Sequence, residues 1–279
     1  MKLNYTTPGV VKVDMKRNIE GIIAEFPEEV PESIRKCPWN DDLFKINTNS
    51  KPLQSEKAKL FQMFVAKILF LSKRTRCDIQ PAVAFLTTRV KNPCEEDWTK
   101  LFKVIHYLKS TMNDTLTLKA DGTRIIKWHV DASFAVHNDF KSHTGGVMSL
   151  GAGAIQTVST KQKVNTKSST EAELISLDDV ISKVMWTRLF LEAQGYDIKE
   201  NIIYRDNQSS MKLEMNGKMS SSKRTRHFNI KYFFITDLIA RGEVSIEYCP
   251  TGAMIADFIT KPLTGQKFRD MRKAIMNEE

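Results

Sequence analysis

Four short acidic segments follow one another in the second half of this 279-residue chain: Val130-Asp131-Ala132-Ser133, Ser169-Thr170-Glu171-Ala172-Glu173-Leu174, Arg205-Asp206-Asn207-Gln208 and Ile255-Ala256-Asp257-Phe258. Each offers a carboxylate at an expected strand end or on an expected helix, in the order Asp, Glu, Asp, Asp. Carboxylates gathered at one point repel each other unless a cation neutralises them. An all-oxygen donor set suits magnesium, and two such ions can activate water, stabilise a leaving oxygen and relieve charge at a phosphorus centre. A single Asp at a strand end is ordinarily a turn or cap residue, so the inference belongs to the set. Glu171 and Glu173 stand about 200° apart on a helix, so only one can face such a centre. Glu173, beside the first core-facing residue Leu174, is the better ligand, and Glu171 falls in the first turn, where it favours the helix dipole.

The elements that must position these groups are legible as changes of period. From Ile125 the chain alternates, with Ile126, Trp128 and Val130 set against Lys127, His129 and Asp131, as on a half-buried strand. Gly145 to Leu150 and Ala154 to Ser159 flank Gly-Ala-Gly and read as a hairpin. A long helix is expected from about Thr170 to Ala193 on the stripe Leu174, Leu177, Ile181 and Val184. Ile202 to Tyr204 reads as a short inner strand ending at Asp206, and a helix follows. A helix containing Tyr232, Ile235 and Ile239, a strand from Val244 to Tyr248 and a short acidic helix around Asp257 complete the series. The first part reads as helical: Asp14 caps a helix with Ile19, Ile22, Ile23 and Phe26, and further helices run from Ser55 to Leu71, Ile79 to Val90 and Glu95 to Ser110. The expected division lies near residue 122, with 1–122 mainly helical and 123–279 mixed α/β.

Bulk properties narrow the classes. The hydrophobic and charged fractions, 41% and 27%, are those of a globular protein, and the formal net charge of +9 favours a polyanionic partner. No apolar run approaches the roughly 18 residues of a membrane span, and no membrane association is expected. The first residues lack the apolar stretch of a signal peptide. Cys37, Cys77, Cys94 and Cys249 are widely spaced, which suggests neither a zinc site nor a disulfide framework. An intracellular setting follows as the expectation.

Specific motifs then converge. Asp131-Ala-Ser-Phe-Ala, Ser142-His143-Thr144-Gly145-Gly146, Lys161-Gln162-Lys163, Ser168-Ser-Thr-Glu-Ala-Glu-Leu174, Asp206-Asn-Gln-Ser209, His227 with Tyr232-Phe233-Phe234, and Ala256-Asp257-Phe-Ile-Thr-Lys261 resemble the ribonuclease H domain of copia-type retrotransposon polyproteins. Thr75-Arg76-Cys77-Asp78-Ile79, Pro93, Trp98 and Tyr107-Leu108-Lys109-Ser110-Thr111 resemble the thumb or connection segment that joins the polymerase to that nuclease. The resemblance covers nearly the whole chain. It implies an RNase H-like mixed sheet flanked by helices, preceded by that helical connection. It also implies hydrolysis of the RNA strand of an RNA–DNA hybrid with Mg2+ or Mn2+ held by Asp131, Glu173, Asp206 and Asp257, inside a cytoplasmic particle or the nucleus. The upstream polymerase domains are the further partner implied. The polymerase motif Tyr-x-Asp-Asp is missing, so no DNA synthesis is expected of this chain. Cys77 stands where the family usually has proline. The loop Pro250 to Asp257 lacks the histidine found in many cellular ribonucleases H. Integrases of related fold order their acidic residues Asp, Asp, Glu, and the early Glu173 argues against that chemistry.

A hybrid duplex displays 2′-hydroxyls on one strand of a wide minor groove. Lys161, Lys163 and Lys167, ahead of Glu173, and Lys223, Arg224 and Arg226, beside His227, are candidate contacts to its phosphates. Each cluster also reads as a solvated basic loop, and 223–226 as an import patch. Ser133, Asn207, Gln208 and Ser209 adjoin the aspartates as candidate donors to substrate or as helix caps. His227 reads equally as a structural residue, and His143 is left out of the site. The alternative to an enzyme is a catalytically silent nucleic-acid-binding module derived from the same element.

Overall fold

The computed structural model describes residues 1–216 and 229–277, with the backbone alone for 229–233. In chain order the elements are β1 (Lys2–Asn4), β2 (Val10–Asp14), α1 (Lys16–Glu25), α2 (Ser55–Ser72), α3 (Gln80–Arg89), α4 (Glu95–Ser110), β3 (Leu116–Ala120), β4 (Ile125–Ser133), β5 (His143–Ser149), β6 (Gly151–Ala152), β7 (Gln156–Lys161), α5 (Ser169–Ala193), β8 (Glu200–Arg205), α6 (Gln208–Asn216), α7 (Asn229–Ala240), β9 (Ser245–Tyr248), α8 (Asp257–Thr260) and α9 (Gly265–Met276). No described helix is long and apolar enough to cross a membrane. Two compact units emerge, one of residues 1–119, 152–154 and 261–279, the other of residues 120–151 and 155–260.

In the first unit the apolar stripes of α1, α2 and α4 meet. Phe26 stacks on Trp98 with ring centroids 5.3 Å apart and meets Phe64 edge-on at 4.9 Å. Two features differ from the sequence expectation. The alternating Val10-Val11-Lys12-Val13 forms β2, which pairs with β1 and β3, so the helices carry a small sheet at their edge. Asp14 therefore ends a strand, and its carboxylate accepts the Lys16 amide at 2.6 Å while Met15 takes the cap position of α1. Residues 261–279, grouped by the sequence division with the second domain, pack in the first unit. The amphipathic helix α9 buries Phe268 against Trp39 and Tyr107 and sets Met276 beside Cys77. Its Arg272 joins a buried charge network in which Asp78 accepts from Arg76 (2.9 and 2.8 Å), Tyr107 (2.6 Å) and Arg272 (3.2 Å). Burial alone would raise the Asp78 carboxyl, and the two guanidinium groups hold it well below the usual range.

The second unit is α/β, with a five-stranded mixed sheet in the order β7-β5-β4-β8-β9. The pairs β7/β5 and β5/β4 are antiparallel, and β4/β8 and β8/β9 are parallel. The expected alternation holds: Ile126, Trp128 and Val130 are fully buried and pack with Leu177, Val180, Ile181 and Val184 of α5. The hairpin forms between β5 and β7, with β6 leaving it for the first unit's sheet.

Two glycines admit the flanking helices. A Cβ on Gly145, which pairs with Asp131 across β4/β5, would lie 2.3 Å from Thr260 Cγ2 of α8, and one on Gly146 would lie 3.2 Å from Val180 of α5. Gly145→Ala must displace α8. The expected loss is about 1–3 kcal/mol, read as a lower urea midpoint at unchanged m-value.

His143, left out of the site as a structural residue, is fully buried at the start of β5. Its Nδ1 lies 3.0 Å from His137 Nε2 and its Nε2 lies 2.8 Å from Ser159 Oγ, which donates to the Ile259 carbonyl at 3.0 Å. Burial pushes both imidazoles down, His137 to about 4 and His143 to about 3. In the unfolded chain they protonate near 6.5. Below that pH the unfolded state binds more protons, so stability present at pH 7 is lost as pH falls toward 4. Unfolding measured from pH 7 to 4.5 should lose up to about 1.4 kcal/mol per pH unit for each histidine. His143→Gln should flatten that slope.

Candidate metal centre

Strand β4 carries Asp131 near its C-terminal end, and β8 stops at Arg205, immediately before Asp206. Because β4 and β8 are parallel neighbours, both aspartates arrive at the carboxyl ends of adjacent inner strands, where open α/β sheets commonly place their ligands. Helix α5 brings the third group. Ser168 caps it, its Oγ accepting the Glu171 amide at 3.2 Å, and the Glu171 carboxylate turns back to the Lys167 amide. Glu171 thus stays at the helix end. Glu173, two residues on, meets the aspartates: carboxylate oxygens of Asp131, Glu173 and Asp206 all lie within 4.8 Å of one another.

Asp131 and Glu173 are buried and Asp206 is half-buried. Glu173 Oε1 accepts the Ala132 amide at 3.4 Å, and Asp206 Oδ2 accepts Thr251 Oγ1 at 3.0 Å. Asp131 Oδ2 accepts Thr260 Oγ1 at 2.6 Å. Burial pushes the Glu173 carboxyl well above its usual range, with Asp131 and Asp206 adding to the rise and Arg205 opposing it. The donor set is oxygen throughout, which fits a hard divalent cation. Ser133 Oγ, two residues beyond Asp131, is buried and has no hydrogen-bond partner among the described residues, leaving one more oxygen beside the cluster.

Asp257 is buried at the first position of α8 and is not among the three clustered carboxylates. It is linked to them through its own helix, since Thr260, which bonds Asp131, also lies 3.4 Å from the Asp257 carbonyl. The other expected residues separate by role. Lys163 and Lys167 are exposed, whereas Lys161 is paired with Asp139 at 2.7 Å. Asn207 accepts the amides of Ser209 and Ser210, both at 3.1 Å, which is the work of a helix cap at the start of α6. Gln208 and Ser209 are exposed on the first turn of that helix. Lys223, Arg224, Arg226 and His227 lie outside the described residues.

Two charged groups beside the centre escaped the sequence reading. Arg205 is fully buried, with its guanidinium 3.1 Å from Glu173 Oε2 and 3.3 Å from Glu214 Oε1. Glu214, on α6, is likewise fully buried. The signal lay in phase: Arg205 continues the buried alternation of Ile203, and Glu214 continues the Ser210-Met211 stripe of α6. Opposite charges at two core-facing positions point to a buried ion pair.

No protein-family model matches the chain. Over 205 residues, 73% of the chain, it is 30% identical to the retrovirus-related Pol polyprotein from transposon TNT 1-94 of Nicotiana tabacum. Over 203 residues, 72% of the chain, it is 32% identical to the retrovirus-related Pol polyprotein from transposon RE1 of Arabidopsis thaliana. It spans 15% and 14% of the length of these relatives. A solved foamy viral protease-reverse transcriptase in complex with dsDNA aligns with 76% of this chain and 40% of that one, at 16% identity and a TM-score of 0.37. The motifs from Asp131 to Lys261 and the relatedness to these polyproteins agree, and the chain belongs to the retrovirus-related Pol polyproteins of copia-type retrotransposons, as a segment of them.

Proposed function

We propose that this chain is a metal-dependent endonuclease that hydrolyses the RNA strand of RNA–DNA hybrids during retroelement replication in the cytoplasmic particle or nucleus. The observation that carries the reading is the meeting of Asp131, Glu173 and Asp206 within 4.8 Å at the carboxyl ends of β4 and β8. These three would hold Mg2+, or Mn2+ in its place, and a bound ion would supply an activated water and neutralise charge on the phosphate under attack. The chain's own groups orient the carboxylates beforehand: Thr260 holds Asp131, Thr251 holds Asp206, and the Ala132 amide and Arg205 hold Glu173. Asp257, on the short helix that braces Asp131, is assigned as the fourth acidic group of the centre. Exposed Lys163 and Lys167 are assigned to the substrate's phosphates, together with Lys223, Arg224, Arg226 and His227. Ser133, Gln208 and Ser209 remain within a residue or two of the aspartates as donors to substrate oxygens. In the full polyprotein the polymerase domains would grip the same duplex.

Cleavage of a labelled hybrid in Mg2+ tests the assignment. Asp131→Asn, Glu173→Gln and Asp206→Asn should each lower the rate by at least about 100-fold, because neutralising charge at the phosphate contributes several kcal/mol. Asp257→Asn should cost less, on the order of 10-fold, if it acts beside the three. Wild-type protein that binds the hybrid yet leaves it intact at high concentration would instead identify a silent binding module.

Salt dependence tests the lysines separately. Lys163→Ala and Lys167→Ala should each reduce the slope of log affinity against log salt by about 1, with little change in cleavage at saturating hybrid.

A further inference from the structure

We propose that Arg205 is a positioning residue for the carboxylate centre and that Glu214 is the anchor fixing it, an inference that rests on the metal-site reading above. One guanidinium reaches the supports of all three acidic groups. Its Nη1 donates to the Val130 carbonyl at 3.3 Å, one residue before Asp131, and to Ser176 Oγ of α5 at 3.1 Å. Its Nη2 donates to the Glu173 carbonyl at 2.6 Å and lies 3.1 Å from Glu173 Oε2. Arg205 itself precedes Asp206, and its carbonyl accepts the Cys249 amide at 2.7 Å, fixing the end of β8. Strand β4, helix α5 and strand β8 are thus joined through one side chain immediately behind the cluster.

Glu214 completes the arrangement. It is fully buried, and its carboxylate oxygens accept no hydrogen bond among the described residues, yet Oε1 stands 3.3 Å from the guanidinium. Apolar side chains filling the same space would serve stability as well or better, because the desolvation of a buried ion pair commonly offsets its attraction. What an apolar pair cannot do is bond two carbonyls and a hydroxyl while pairing with a carboxylate. A planar fork does this, and the single ammonium of lysine does not.

The sign of the effect separates positioning from simple charge compensation. A cation behind three carboxylates repels an incoming metal ion. If compensation were its only role, its removal would tighten metal binding. If it positions Glu173, its removal weakens binding.

The test uses the 279-residue chain, Mn2+ titration calorimetry, and thermal unfolding in EDTA. Arg205→Met/Glu214→Met should unfold in EDTA within a few degrees of wild type, yet bind Mn2+ about 10- to 100-fold more weakly, the usual cost of losing a ligand's outer support. Arg205→Lys should weaken Mn2+ binding at least about threefold. Equal or tighter binding by the folded double variant overturns the proposal. If the double variant does not fold, Arg205→Lys decides, and an affinity within about twofold of wild type overturns it. Wild-type protein that binds no Mn2+ overturns the metal-site reading and this one with it, whereas wild-type binding with unchanged variants overturns this one alone.

Discussion

The arrangement turns on like-charge repulsion. Two carboxylates 4.8 Å apart repel by about 3 kcal/mol at an effective dielectric near 20, and Asp131, Glu173 and Asp206 make three such pairs. The sum approaches the whole net stability of an ordinary domain, so a chain that brings them together must offset the cost from close by. The offsets are specific: a buried arginine behind Glu173, threonine hydroxyls on Asp131 and Asp206, an amide at Ala132, and a Glu173 carboxyl whose hold on its proton is raised by burial. The parts of the second unit that look incidental, the glycine pair of β5 and the one-turn helix α8 among them, exist in positions that let these groups reach the cluster. A divalent cation would offset the same repulsion from the front.

Much of this was legible in residue order. Alternation at Ile126, Trp128 and Val130 gave β4, and a 3.6-residue stripe gave α5, because both elements bury one face and their periods survive in the sequence. The choice of Glu173 over Glu171 followed from the same geometry. The elements that escaped are those whose reason for existing lies elsewhere in the chain. Strand β2 is five residues long and needs β1 and β3 to pair with. Helix α9 has a clear apolar stripe, but only packing on Trp39, Tyr107 and Cys77 decides which unit it joins.

The site divides along the same line. Of the four carboxylates singled out by type and neighbourhood, Asp131, Glu173 and Asp206 cluster and Asp257 does not join them. Residues that serve those three were not singled out, since nothing local marks Thr251 or Thr260 as a partner of a group tens of residues away, and Glu214 meets the centre only through Arg205. Arg205 is the instructive case. It adjoins Asp206 and was read only as part of that motif, although an arginine in the buried phase of a strand must find an anion or disrupt the core. Polar residues at core-facing positions therefore hold information about a site even when they lie behind it.

The placement of α9 bears on how the chain acquires its structure. Arg272 bonds Asp78, 194 positions away along the chain, and Met276 touches Cys77, 199 positions away. Contacts of such sequence separation form late, because a long loop must close before they contribute. During synthesis from the N-terminus, residues 120–260 emerge before α9 does. The sheet bearing the carboxylates can thus fold on the ribosome while Asp78, Arg76 and Tyr107 still await the helix that completes their core. The unit begun first is the one finished last.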